Sequence, residues 1–314
     1  MVIDSVAASI LLPQKVNIVE VGARDGLQNE ASVSLKTKVA LINALSISGL
    51  RHIEAGAFVS PKRVPQMADS AEVLKQITRH KGVTYSALTP NVQGLEAAIS
   101  AGASEVAVFA SCSESFSQRN IHCSIAESIN RFVPVINAAN TAGLRVRGYL
   151  SCVADCPYDG ATSPAQVAAI ASELRNLGCY QISLGDTIGT GTPLRIARML
   201  EHVSKGISFD QLAVHFHDTY GQALANIYQA LTMGVNTIDS SVAGLGGCPY
   251  AAGASGNVAT EEVLFLCEGL GIETGVDINA IARAGWQVCQ QLNRTPVSKV
   301  SQALRNAYLE NISK

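Results

Sequence analysis

Short apolar, β-branched runs begin near Asn17, His52, Thr84, Glu105, Val146, Gln181, Leu212 and Thr237, and helical periodicity follows each one. Their mean spacing is about 31 residues, the size of a strand-plus-helix unit. Eight such units with no long linker predict a closed parallel barrel, the (β/α)8 TIM barrel of the α/β class, over a doubly wound sheet. The expected helix ends agree. Ser163-Pro164 and Thr192-Pro193 each set a capping hydroxyl before a proline at the first helical position, where a missing N–H costs nothing. Ser124 and Glu127 have the spacing of a capping box. Gly49, Gly102, Gly143, Gly178 and Gly234 fall where helices should stop in the left-handed conformation. From about Val258 the chain reads as helix alone, near 258–269, 277–292 and 297–312. The expected division is a catalytic barrel over 1–275 and a small C-terminal helical cap over 276–314, packed on the barrel.

Composition removes several classes of function. Of 314 residues, 47% are apolar and 15% charged, so a large core is expected under a surface of small and uncharged groups. The 23 Lys and Arg are scattered among 25 Asp and Glu, leaving a net charge of −2 and no basic face for nucleic acid. No apolar run approaches the ~20 residues needed to cross a bilayer. No basic residue precedes Lys15 to form a signal region, so a cytoplasmic location is expected. The eight cysteines lack C-x-x-C pairs and are expected to be reduced thiols, mostly packed as small apolar groups.

Barrel active sites form where strands end, so polar residues there carry the chemistry. The first strand runs into Arg24-Asp25, the second ends at Glu54, and the sixth ends at Asp186-Thr187. His215 and His217 lie on one face of the seventh, about 6.6 Å apart. A buried ion pair or two hydrogen-bonded interior histidines would explain any one of these alone. These carboxylates, two imidazoles and an arginine on one rim argue together for a divalent metal and an anionic substrate. After the eighth strand, residues 243–257 contain five glycines and can form a lid. Gly246-Gly247 clears space beside Cys248, a candidate proton donor, nucleophile or redox sensor. The segment lacks both a Gly-Lys-Ser/Thr ending and a G-x-G-x-x-G pattern, so the nucleotide fingerprints fail.

The segments Arg24–Glu30, Phe58–Lys62, Ser151–Val153 with Cys156–Tyr158, Gly185–Gly189, His215–Gly221 and the cysteine-bearing 243–257 together resemble 3-hydroxy-3-methylglutaryl-CoA lyases over roughly residues 14–275. The resemblance implies Mg²⁺- or Mn²⁺-assisted cleavage of that acyl-CoA to acetyl-CoA and acetoacetate by a homodimeric barrel. It carries Asp25, His215, His217 and Asn257 over as metal ligands and Arg24 as the residue stabilising a thioester enolate. Cys248 becomes the acid, with Glu54, Asp186 and Glu261 as supporting acidic positions. It places coenzyme A contacts in the loop after the fourth strand, at Ser115, Arg119 and Asn120. Gln118 stands there where relatives carry a second basic residue. The base for the substrate hydroxyl stays open, as does a longer 3-alkyl substrate. An isopropylmalate-type synthase would lack the cysteine lid, and a biotin-dependent carboxyltransferase would need a lysine near Asp186. A noncatalytic barrel would be expected to have lost part of the site.

Overall fold

The computed structural model describes residues 11–247 and 256–312. Eight parallel strands close into a barrel: Asn17–Glu20, His52–Ala57, Thr84–Leu88, Glu105–Ser111, Arg145–Ser151, Gln181–Asp186, Leu212–Phe216 and Thr237–Ser240. The last pairs with the first, Asn17 opposite Thr237 through Glu20 opposite Ser240. A two-stranded hairpin, Asp155–Cys156 with Gly160–Ala161, follows the fifth strand. Among the described residues no helix is long and apolar enough to cross a membrane.

Seven strands begin at the residue expected and the fifth begins one residue earlier, at Arg145. Ser163 accepts from the Gln166 amide above Pro164, and Ser124 and Glu127 complete both halves of the capping box. Thr192 departs from expectation. It occupies the N-cap before Pro193, but its side chain makes no capping hydrogen bond. All five glycines expected at helix ends have positive φ. The last helices span Thr260–Gly269, Ile278–Gln291 and Lys299–Ile312. The first of these starts two residues later than Val258, because Asn257 and Ala259 bridge to His217 and Ser241 in extended form. Ile281, Ala284, Val288 and Cys289 of the second belong to the same apolar core as the barrel strands.

That core lies between sheet and helices, with Val106, Val108, Val146, Ile182 and Leu184 essentially inaccessible. The barrel lumen is different. Along the fifth strand Arg147 and Tyr149 alternate with Val146, Gly148 and Leu150, and the polar set faces inward to meet Glu54, Ser183 and Asp239. Most barrel interiors are filled by branched apolar side chains. Here a stack of ion pairs stands under the rim.

Candidate active site

The first strand does not run straight into a helix. The amides of Arg24, Asp25 and Gly26 all donate to the Val21 carbonyl, at 3.1, 2.7 and 3.2 Å, forming one wide turn over Gly22–Gly26. This turn holds Arg24 and Asp25 over the mouth of the barrel. Arg24 Nε donates to Glu54 Oε2 at 2.6 Å, and a terminal nitrogen donates to Asp25 Oδ1. Its guanidinium also lies 5.4 Å from the Tyr149 ring centre. Burial opposes the charge of Arg24, but the carboxylates of Glu54 and Asp25 outweigh it and hold the guanidinium protonated, above its ordinary value. Burial would raise Asp25, yet Arg24 and the two histidines bring it down to about 2.

One carboxylate oxygen of Asp25 and one ring nitrogen from each of His215 and His217 lie within 4.8 Å of one another. His215 Nδ1 pairs with Asp239 Oδ2 at 3.3 Å, turning Nε2 toward Asp25 Oδ2 at 3.7 Å. Asp239 in turn receives two bonds from Arg147, at 2.6 and 2.9 Å, and one from Ser183 at 2.7 Å. A carboxylate behind a histidine in this way fixes its tautomer and raises its basicity. His217 is a neutral donor: burial, then the neighbouring His215, lowers it to about 4. Its buried Nδ1 has no hydrogen-bond partner within the protein. Asn257 Nδ2 donates to Asp25 Oδ2 at 2.9 Å, which leaves the amide oxygen as the atom it can offer a cation. A carboxylate, two imidazoles and an amide form a mixed O/N set that fits a divalent cation, and the orphaned His217 nitrogen is the clearest sign of that fit.

These groups open into a cavity of about 1250 Å³ whose wall includes Arg24, Asp25, His215, His217, Tyr149 and Asn120. Other expected residues stand elsewhere. Asp186 points away from the lumen; its Oδ2 accepts from the Gly191 amide at 2.8 Å, and burial lifts its carboxyl to about 6. It secures the loop that carries Thr187, which does line the cavity. Glu261 lies at the start of the Thr260–Gly269 helix, where both oxygens accept from the Ala243 amide. Arg119 stacks over the Tyr158 ring at 4.3 Å, outside the cavity wall. Ser115 gives its amide to Asp159 at 3.2 Å. Cys248 lies outside the described residues, and the seven described cysteines are free and buried. Asp239, Arg147 and Tyr149 escaped the sequence reading. The signal for Arg147 and Tyr149 was their alternation with Val146, Gly148 and Leu150 on the fifth strand, and that for Asp239 its place between Ile238 and Ser240 in the eighth. Arg63 and Arg131, also on the cavity wall, carry no local motif.

The fold and this donor set define a (β/α)8 barrel enzyme whose strand ends bring together Asp25, His215 and His217, a group that could hold a metal ion. The chain belongs to the HMGL-like family, whose pattern matches residues 15–288. It is 57% identical over 294 residues to a Pseudomonas aeruginosa protein named 3-hydroxy-3-isohexenylglutaryl-CoA/hydroxymethylglutaryl-CoA lyase, covering 93% of this chain and 98% of that one. It is 57% identical over 293 residues to the mitochondrial hydroxymethylglutaryl-CoA lyase of Macaca fascicularis, covering 93% and 90%. The crystal structure of hydroxymethylglutaryl-CoA lyase from Pseudomonas aeruginosa superposes with a TM-score of 0.93 at 56% identity, over 94% of this chain and 99% of that one.

Proposed function

We propose that this protein is a divalent-metal-dependent lyase that cleaves 3-hydroxy-3-methylglutaryl-CoA to acetoacetate and acetyl-CoA. The observation that carries the reading is the junction of Arg24 with the Asp25–His215–His217 set on one wall of a deep cavity.

In this cleavage the C3 hydroxyl loses its proton and its electron pair forms the ketone. The C2–C3 pair departs with C2 as a thioester enolate, which then takes up a proton at carbon. A Mg²⁺ or Mn²⁺ ion held by Asp25, His215, His217 and Asn257 would acidify that hydroxyl. Arg24 supplies a fixed positive charge for the enolate oxygen, and Glu54 and Tyr149 keep the guanidinium in place. Closure over the cavity would exclude water, and Cys248 would protonate the carbon, both roles resting on the family resemblance. Asp186 and Glu261 then act indirectly, through the Thr187 loop and the Val242–Gly244 turn. Of Ser115, Arg119 and Asn120, Asn120 lies on the cavity wall, where Arg63 and Arg131 add positive charge for coenzyme A. The family resemblance supports a homodimer.

Acyl size is open to measurement, because the wall also carries Leu88, Phe109, Phe116, Phe132 and Leu150, apolar surface that a longer 3-alkyl group could cover. One added methylene shifts discrimination by only ~1–3 kcal/mol. Steady-state rates with 3-hydroxy-3-methylglutaryl-CoA beside a longer 3-alkyl homologue test the choice. A higher kcat/KM for the methyl substrate supports the reading. Equal or reversed preference contradicts it as a statement of specificity.

A further inference from the structure

Glu20 ends the first strand, yet its side chain faces away from the lumen. It pairs in register with Ser240, and the neighbouring Asp239 is the residue that points inward to Arg147 and His215. The carboxyl is completely buried and accepts from three segments of chain. Oε1 takes the Gly22 amide at 2.8 Å and the Val242 amide at 2.9 Å, while Oε2 takes the Thr260 hydroxyl at 2.6 Å. Thr260 is itself paired with Ser240 Oγ at 2.9 Å.

Each partner has a position relative to the site. Gly22 opens the wide turn that carries Arg24 and Asp25. Val242 opens the short turn leading to Leu245 and Gly246, whose backbones pack on Gly26 and whose Leu245 carbonyl accepts from Asn257. Thr260 lies three residues beyond Asn257. Glu20 therefore joins the segment bearing Asp25 to both segments that lead into Asn257. The packing around it has no slack. A Cβ on Gly22 would stand 2.6 Å from Glu20 Oε1 and 2.9 Å from Val242, so this glycine is required by the joint itself.

We propose that Glu20 is a positioning residue: it touches neither substrate nor cation, but by tying the amides of Gly22 and Val242 to the Thr260 hydroxyl it sets the relative placement of Asp25, Arg24 and Asn257. An acceptor oxygen beside a second polar atom suffices for this. Glutamine can keep Oε1 for the two amides and offer its nitrogen to Thr260, which then donates onward to Ser240. Methionine fills the space but leaves both amides unsatisfied in a dry interface.

The inference rests on the metal-lyase reading, and its test separates the two. Mn²⁺ affinity is measured by calorimetry on wild type, Glu20→Met and Glu20→Gln, alongside kcat, KM and melting temperature. Wild type that neither binds Mn²⁺ nor cleaves acyl-CoA counts against the function and leaves Glu20 no site to position. With an active wild type, the expected result is a folded Glu20→Met with Mn²⁺ affinity and kcat each reduced tenfold or more and KM changed less. Glu20→Gln should restore both to within about threefold. A joint that served stability alone would lower the melting temperature of Glu20→Met while its folded fraction bound Mn²⁺ and turned over normally, which would overturn the proposal. Should Glu20→Met not fold, Thr260→Val removes the Oε2 contact with Glu20 in place. Unchanged Mn²⁺ affinity and kcat in that variant would overturn it equally.

Discussion

Asp239 Oδ2 lies 3.3 Å from His215 Nδ1, and the same carboxylate is gripped by both terminal nitrogens of Arg147. Burial would raise Asp239, but Arg147 and His215 pull it far below the usual carboxylate range, so it stays ionised behind the imidazole. Asp239→Asn keeps the shape and removes the charge. Mn²⁺ affinity should fall by ~10–100-fold, the usual cost of losing a partner behind a metal-binding histidine. Calorimetry on the folded variant checks this, and unchanged affinity would confine Asp239 to its pairing with Arg147.

His217 hydrogen-bonds the Thr187 backbone, while its buried Nδ1 meets no protein donor or acceptor and is the atom it can offer a cation. His217→Ala should remove Mn²⁺ binding and turnover together while leaving the lumen ion pairs intact. Titration of the variant with Mn²⁺, with folding followed by circular dichroism, tests the pair of outcomes. Full-strength binding would exclude His217 from the donor set.

Arg24→Met retains length and loses the charge facing the cavity. The enolate charge exists mainly beyond the ground state, so kcat should drop by ~10²–10³ with a smaller change in KM. A variant with normal kcat and a raised KM would make Arg24 a binding residue. The substitution also leaves Glu54 without its 2.6 Å partner, so melting temperature should be recorded in parallel.

The buried carboxyl of Glu261 gives a pH signature in stability. Burial, with the nearby Glu20 adding to it, raises Glu261 from 4.5 to about 8. Below 4.5 the proton is bound in folded and unfolded chains alike, and the stabilisation of the neutral buried form is complete. As pH rises from 4.5 toward 8 the unfolded chain releases the proton first, so stability falls, by up to ~1.4 kcal/mol per pH unit for one such group. Glu261→Gln should flatten that slope in denaturant titrations. An unaltered slope would mean that Glu261 does not hold a proton in the folded protein.

Much of this arrangement could be read from the chain before the fold was known. Strand starts, helix-stopping glycines and the Ser124–Glu127 box are local chemistry, and they appear where the residues place them. The donor set at Asp25, His215 and His217 was legible because strand ends converge on one rim in any barrel of this kind. Asp186 was harder. Its place at a strand end is visible in sequence, but the alternation Ser183-Gly185-Thr187 gives the lumen to its neighbours and turns Asp186 toward Gly191. The pairing of Arg147 with Asp239 spans 92 residues, and that of Glu20 with Thr260 spans 240. Neither leaves a periodic mark. Such contacts follow from barrel closure, which sets the fifth strand across the lumen from the eighth and the first strand against the last.

Metal held by this site is expected to drive cleavage of a 3-hydroxy-3-methylglutaryl thioester. The direct measurement strips the purified protein with EDTA, verifies the metal content, and follows acetyl-CoA and acetoacetate formation before and after Mn²⁺ or Mg²⁺ is restored. The expected result is the two products in equal amounts, with activity lost on stripping and recovered on addition of either cation. Undiminished cleavage by metal-free protein, or no cleavage by fully loaded protein, would contradict it.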